Sequence, residues 1–296
     1  MTADATIDEG VTVCTLTRDR TSHLVNQVHG LRASHRAPAA HVVAVMGGED
    51  PRPHVPATPW ETRFVRVPTS RHELPLARAR NVAARAADTE ALVMLDVDCI
   101  PSPGLVGAYA RALGRFDGIV MGEVRYLPPG DVDVAGLRDD PGRAHPSRPR
   151  PPAADVLRTT DDWHLFWSLS FGVRRSTLLD HLDGFDVGYV GYGAEDTDFA
   201  LRAHRAGVPF AWLGGARAHH QYHPTFDPPV QHLASIVVNA HRFHDRWGRW
   251  PMEGWLRAFA ARGLVDWDPQ RGRLQVVRAP DEGDLASARQ DTAVPR

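Results

Sequence analysis

The feature that most constrains this chain is the regular alternation in its first 125 residues. Short apolar runs take turns with stretches of helical periodicity. The segments 11–17 (VTVCTLT), 41–46 (HVVAVM), 63–67 and 91–95 (ALVML) read as strands, with Gly47 and Gly48 closing the second. Between them Leu24, Val28 and Leu31 recur at helical spacing, and 74–87 reads as an Ala- and Arg-rich helix. The pattern continues with a helix over 105–113 and a strand over 118–124. Strands alternating with helices predict an α/β, Rossmann-like domain with a mainly parallel sheet flanked by helices. In such sheets a ligand lies beyond the carboxyl ends of the strands.

The second half is less regular. Residues 128–152 are rich in Pro, Arg, Asp and Gly, which predicts a long loop, read as a flap on the ligand side. An aromatic strand is expected over 166–173, a short helix over 177–182, and a helix over 195–206 that Gly207 stops. Short strands at 208–213 and 217–220 follow. Helices over 233–247 and 252–262, with a last strand at 274–277, form a C-terminal helical extension. The predicted organisation is a flexible segment 1–10, one domain over 11–278 and a loose polar tail over 279–296. Within the domain, 11–125, 160–225 and 230–278 are successive parts.

With 296 residues, 43% of them hydrophobic, the chain can bury a sizeable core. Its net charge of −2 gives no general attraction to nucleic acid or to an anionic membrane. All 34 basic residues are arginine, so any phosphate contact must come from Arg, His or backbone N–H groups. No apolar run is long enough to cross a membrane, and residues 1–10 carry no signal-peptide pattern. Two cysteines, Cys14 and Cys99, make no disulfide framework. The expected location is cytoplasmic, with action at a membrane surface left open.

The strand at 91–95 ends in Asp96-Val97-Asp98. If the backbone stays extended, both acids share one face. Two carboxylates there repel unless a cation lies between them, and a divalent ion carrying a diphosphate would satisfy both. The same residues could equally close a solvated strand end. A second acidic knot, Gly191-Tyr192-Gly193-Ala194-Glu195-Asp196-Thr197-Asp198, opens the 195–206 helix. Acids in a first helical turn also serve the helix dipole, and three of them cannot all face one ligand. The glycines indicate a backbone that turns sharply or approaches something closely. Arg80-Asn81 near a helix start suits a diphosphate or a ribose. His219, His220 and His223 follow a strand, which suits a metal ligand, Mn²⁺ more than Mg²⁺. Trp247, Trp250 and Trp255 suit packing of a C-terminal helix, or a sugar-stacking platform.

Taken in order, Ala79-Arg80-Asn81, Asp96-Val97-Asp98, Gly184-Phe185-Asp186, the 191–198 knot and His220-Gln221 resemble family 2 glycosyltransferases of the GT-A fold. The second half looks like the C-terminal region of the β-1,4-galactosyltransferase type. The resemblance covers residues 11–225. It implies an inverting transfer from a nucleotide-diphosphate sugar, expected to be UDP-linked, to a hydroxyl acceptor with Mn²⁺ or Mg²⁺. It implies that Asp98 binds the metal, that Asp96 touches ribose or sugar, that Asp196 is the general base and that Glu195 positions the acceptor. His220 would complete the metal shell, with His223 as the other candidate. Thr15 and Arg18 would lie by the nucleobase, with Arg80 and Asn81 on the donor. Thr197 stands where the galactosyltransferases carry a further acid, so their acceptor preference does not transfer. Two other readings compete. One is a catalytically silent nucleotide-sugar- or carbohydrate-binding module. The other is a phosphotransferase using the Asp-x-Asp, which the absence of a downstream lysine disfavours.

Overall fold

The computed structural model describes residues 10–70, 74–139 and 142–290. The elements run in the order β1 (Val11–Thr17), α1 (Thr21–Arg32), β2 (Ala40–Val45), β3 (Glu61–Arg66), α2 (Leu76–Arg85), β4 (Ala91–Leu95), β5 (Cys99–Pro101), α3 (Leu105–Leu113) and β6 (Ile119–Tyr126). Then come β7 (Arg143–Ala144), β8 (Leu157–Thr160), β9 (Ser170–Arg174), α4 (Glu195–Arg205), β10 (Phe210–His220) and β11 (Thr225–Phe226). The chain continues through α5 (Leu233–Trp247), α6 (Glu253–Ala261), β12 (Val265–Asp268), β13 (Arg273–Val276), α7 (Glu282–Ala288) and β14 (Arg289–Gln290).

The main sheet has the order β3-β2-β1-β4-β9-β6-β10-β5, with β7 on β6 and β8 on β10. Its first four strands are parallel, as the alternation with helices requires. Strand β9 then enters antiparallel between β4 and β6, and β10 runs parallel to β6. Both faces are covered, so β4 is apolar at every position. Leu92 and Met94 point into one cluster with Phe171, Phe185 and Phe199; Ala91, Val93 and Leu95 point into another with Tyr109 and Leu113. The C-terminal extension has its own core around Ile236, Trp250, Leu256 and Phe259. No helix among the described residues is long and apolar enough to cross a membrane.

Four expectations change. The stretch 166–173 is strand only from Ser170, because Trp163–Leu165 forms a 3-10 turn ahead of it. The two short strands at 208–220 are one strand, β10, with an irregularity between Trp212 and Arg217. The long loop is not wholly irregular, since Arg143–Ala144 pairs with Arg125–Tyr126. The expected tail is ordered as far as Gln290. Asp281 and Asp284 form a reciprocal capping box that starts α7, and β14 pairs with β11. The expected flexible N-terminus, apart from Gly10, lies outside the described residues, as does 291–296.

Candidate active site

The site forms where β4 and β10 end. After Leu95 the chain does not stay extended. The Cys99 N–H donates to Asp96 O at 2.8 Å, so residues 96–99 close a tight turn before β5. The two acids therefore diverge instead of sharing one face. Gln27 plugs this turn from below, its Nε2 donating to Asp96 O at 2.7 Å and to Cys99 O at 3.0 Å. Strand β5 pairs antiparallel with β10 in a register that sets Cys99 opposite His220, and Gln221 N–H donates to Asp98 O at 2.7 Å. Asp98 and the end of β10 are thus stitched together by backbone.

That stitching brings His220 Nε2 to 3.5 Å and His223 Nε2 to 3.4 Å from Asp98 Oδ2. One ligand atom from each of the three residues lies within 4.8 Å of the others. The other oxygen, Asp98 Oδ1, is buried and has no hydrogen-bond partner. A buried carboxylate oxygen without a partner is costly unless something positive takes it. Burial lowers the pKa of His220 and so favours the neutral imidazole, which is the form that ligates a metal. Burial alone would raise Asp98, yet His220 and His223 hold it well below the ordinary carboxylate range. The charge of Arg20 acts in the same direction. An ionised carboxylate oxygen beside two imidazoles is a donor set that fits Mn²⁺ or another divalent ion.

Asp96 feels the charge of Arg80. This arginine is 3% exposed, on the first turns of α2, and is the hub of the site. Its Nη1 lies 3.3 Å from Glu195 Oε1 and 3.4 Å from Asp196 Oδ1. Burial opposes its charge, but Asp196, Asp96 and Glu195 together raise its pKa above the usual value. Asp96, pushed up to about 8 mainly by burial, is lowered by Arg80 and raised by Asp98, Asp196 and Glu195. One guanidinium thus contacts the second acidic motif and acts by charge on the first.

The second motif begins with Ala194 in the left-handed region at φ 72°, which turns the chain into α4. Gly191 and Gly193 also have positive φ. A Cβ on the first would stand 2.3 Å from Ser235 Cβ, and on the second 2.7 Å from Met252 Sδ. The close approach expected from these glycines is therefore to the C-terminal extension. The acids that follow separate by helical geometry. Glu195, 9% exposed at its side chain, is pushed up to about 7 by burial and then by Asp196, with Arg80 opposing. Asp196 is 25% exposed and is held by Ser168, whose N–H donates to Oδ2 at 3.0 Å and whose hydroxyl donates to Oδ1 at 2.8 Å. Asp198 is fully buried on the far side. It meets Arg202 at 2.9 Å, Arg246 at 2.8 Å and the Trp247 indole N–H at 2.9 Å.

Three of the residues expected on the donor have other work in this structure. Thr15 is fully buried; its hydroxyl donates to Gln27 Oε1 at 2.8 Å and lies 3.0 Å from His41 Nε2. It supports the turn at 96–99 through Gln27. Asn81 uses both ends of its amide on the Phe185 backbone, at 2.7 and 2.8 Å, and so holds the 184–186 turn. Arg80 faces acids, as described. Arg18, half-buried at the end of β1, lies 3.9 Å from Asp19. Trp247 and Trp250 pack the C-terminal extension, while Trp255 stacks near Tyr192 at 5.8 Å between ring centres. Sequence reasoning missed Gln27, Ser168 and His41. Nothing local marks the first two. A histidine inside an apolar strand was the available sign of the third.

No protein-family model matches the chain. One curated relative, described as an uncharacterized glycosyltransferase of Bacillus subtilis (strain 168), is 38% identical over 76 residues, which is 26% of this chain. The match spans 19% of that relative's length. Among solved structures, S. aureus TarS superposes with a TM-score of 0.53 at 15% identity, covering 89% of this chain and 45% of that one. Its 1–349 fragment gives 0.52 at 13% identity, covering 85% and 72%. A structure of GalNAc-T7 with UDP, GalNAc and Mn²⁺ gives 0.51 at 15% identity, covering 72% and 43%. At these identities the likeness is one of fold, and the chain has the mixed α/β fold of GT-A glycosyltransferases.

Proposed function

We propose that this protein is an inverting, metal-dependent glycosyltransferase that moves a sugar from a UDP-linked donor to a hydroxyl acceptor. The observation that carries the reading is the bare Oδ1 of Asp98 beside His220 and His223, together with the partly exposed carboxylate of Asp196 that Ser168 and Arg80 hold. Asp98, His220 and His223 would hold the metal, which when bound supplies positive charge to the departing diphosphate. Likeness to a structure holding UDP, GalNAc and Mn²⁺ supports the choice of donor class and metal.

This chain's own residues supply the rest. Asp196 is the acid of its knot that is partly exposed and also held by hydrogen bonds. Ser168 and Arg80 fix its two oxygens, so it is placed to take the proton of an incoming hydroxyl. A single base suits a single displacement, which inverts the anomeric carbon. Glu195 lies beneath it and acts through Arg80, keeping the guanidinium in place. Asp96, on the turn above Arg80, borders the space for ribose or sugar. Arg18, just past the end of β1, would lie by the base. Much of the rate would come from holding donor and acceptor in register.

A thermal-shift screen of nucleotide sugars with and without Mn²⁺ tests this. The expected result is stabilisation by a UDP-linked donor that needs Mn²⁺ and is lost in Asp98→Ala. If no nucleotide or nucleotide sugar shifts the wild-type transition with Mn²⁺ present, the proposal fails.

A further inference from the structure

One cation beside the site has no acid of its own. Arg148 comes from the long stretch after β6, where its N–H donates to His145 O at 3.0 Å and closes a turn. Its guanidinium carbon lies 4.2 Å from the ring centre of Trp167 and 4.9 Å from that of Trp212. Trp212 is buried on β10, and Trp167 immediately precedes Ser168, which holds Asp196. The two indoles attract the charge and shield it from water. They do not neutralise it, and contact over a ring uses no N–H donor. Other arginines of this region are paired: Arg80 with Glu195 and Asp196, Arg202 with Asp198, Arg217 with Glu123. Among the described residues no carboxylate lies within ion-pair distance of Arg148, and its guanidinium makes no hydrogen bond.

Position tells which half of the site this charge serves. Burial lowers Arg148 to about 10, opposed by Tyr126, Tyr109 and Asp196, so it is a cation at neutral pH. The metal side has a different one. There the charge of Arg20 acts on Asp98 and His220. Arg148 reaches the Asp196 half through Trp167, the chain neighbour of the Ser168 that holds this carboxylate, and adds a second cation there beside Arg80.

We infer that Arg148 receives an anionic group of the acceptor, a carboxylate or phosphate carried near the hydroxyl that reacts. A guanidinium gives such an oxyanion two parallel N–H bonds. The inference rests on reading the protein as a glycosyltransferase with Asp196 on the acceptor side.

The test is tryptophan fluorescence of the full chain, since two indoles flank the charge, with and without UDP and Mn²⁺. Two probe pairs are titrated: methyl β-D-glucuronide against methyl β-D-glucoside, and glycerol 3-phosphate against glycerol. In the wild type the charged member of one pair should bind at least about tenfold tighter than its neutral partner. That pair assigns carboxylate or phosphate. Arg148→Met, which keeps an apolar stem between the indoles, should cut the ratio below about twofold while UDP–Mn²⁺ affinity stays within about twofold. Arg148→Lys keeps the charge without the fork and should lie between; it carries the test if the methionine variant does not fold. Equal or absent binding of charged and neutral probes by the wild type overturns the inference. So does a variant that loses about tenfold in UDP affinity with its probe ratio unchanged, which would move Arg148 to the donor diphosphate. Failure of the wild type to bind UDP with Mn²⁺ sinks the transferase reading instead, while the probe pairs measured without nucleotide still decide Arg148.

Discussion

The two acidic motifs are built on opposite principles. Asp96-Val97-Asp98 sits on a turn whose own backbone groups are held from three places: by the Gln27 side chain of α1, by the end of β10 and by Leu169 O, which accepts the Asp96 N–H at 3.0 Å. Its acids are positioned by where the main chain goes, and Asp98 keeps a bare oxygen. The 195–198 motif is a helix start whose acids are sorted by side-chain partners. Asp196 goes to Ser168 and Arg80, and Asp198 goes to Arg202, Arg246 and Trp247. The lesson is that identical residue types two apart can divide between site and scaffold. The division depends on what each faces, and sequence spacing alone does not give it.

The sharpest way to break the comparison is to remove the charge from each half. Asp98→Ala should abolish the Mn²⁺-dependent gain in UDP affinity and lower turnover by about a thousandfold, equivalent to about 4 kcal/mol. Asp196→Asn should lower kcat by about 10² to 10⁴ while UDP affinity in Mn²⁺ stays within about twofold. Titration calorimetry with UDP, run beside donor turnover, separates the two. Loss of UDP binding in Asp196→Asn would mean that the halves are not divided between donor and acceptor.

Within the second motif, Asp198 should behave as scaffold. It is fully buried and ties α4 to α5, so Asp198→Ala leaves Arg202 and Arg246 without their shared acid. The expected cost is about 3–5 kcal/mol of unfolding free energy in urea. Near-normal turnover per folded molecule should remain. A stable Asp198→Ala protein with no activity would reverse the assignments of Asp196 and Asp198.

The halves should also respond to pH with opposite sign. His41 lies under the donor-side turn, and burial lowers it to about 4. Its contribution to stability is complete above its unfolded value of 6.5 and is lost as pH falls from there through about 4, by up to about 3 kcal/mol. Glu195, raised to about 7, does the reverse. Its contribution is complete below 4.5 and is lost as pH rises through about 7, again by up to about 3 kcal/mol. The two windows overlap, so the slopes offset each other over most of that range and the wild-type urea midpoint should change little there. His41→Asn should expose the Glu195 slope, with midpoints falling as pH rises, and Glu195→Gln should expose the His41 slope, with midpoints falling as pH drops. If neither substitution uncovered a slope, these two groups would not carry the pH response.

What could be read from sequence follows the same division. Continuous apolar runs made β1, β2 and β4 visible, and helical spacing made α1, α3 and α5 visible, because those signals are local. The partners of Asp98 were half visible: histidines after a strand suggested a ligand, but only the Cys99–His220 register brings them to it. Ser168, Gln27 and the Phe185 backbone that occupies Asn81 were invisible, since each acts across many residues of chain. The Gly191 and Gly193 backbone looked like a ligand approach because Ser235 and Met252, which crowd it, lie far along the sequence. Helix α7 hid in a polar tail whose order depends on an Asp281–Asp284 capping box.

The finest cut lies between Asp196 and the residue that aims it. Ser168 gives Asp196 one bond through its hydroxyl and one through its backbone N–H. Ser168→Ala removes only the first, and Arg80 still holds Oδ1 from the other side. The carboxylate keeps its charge and most of its orientation, so the loss should be about 1 kcal/mol, or about fivefold in kcat. Because nothing on the turn at 96–99 touches Ser168 through its side chain, the KM for the donor and the Mn²⁺ requirement should not move. Steady-state kinetics at saturating Mn²⁺ gives both numbers. A fall confined to kcat supports Ser168 as the residue that positions the base, whereas a matching rise in donor KM would show that the two acidic motifs share this hydroxyl.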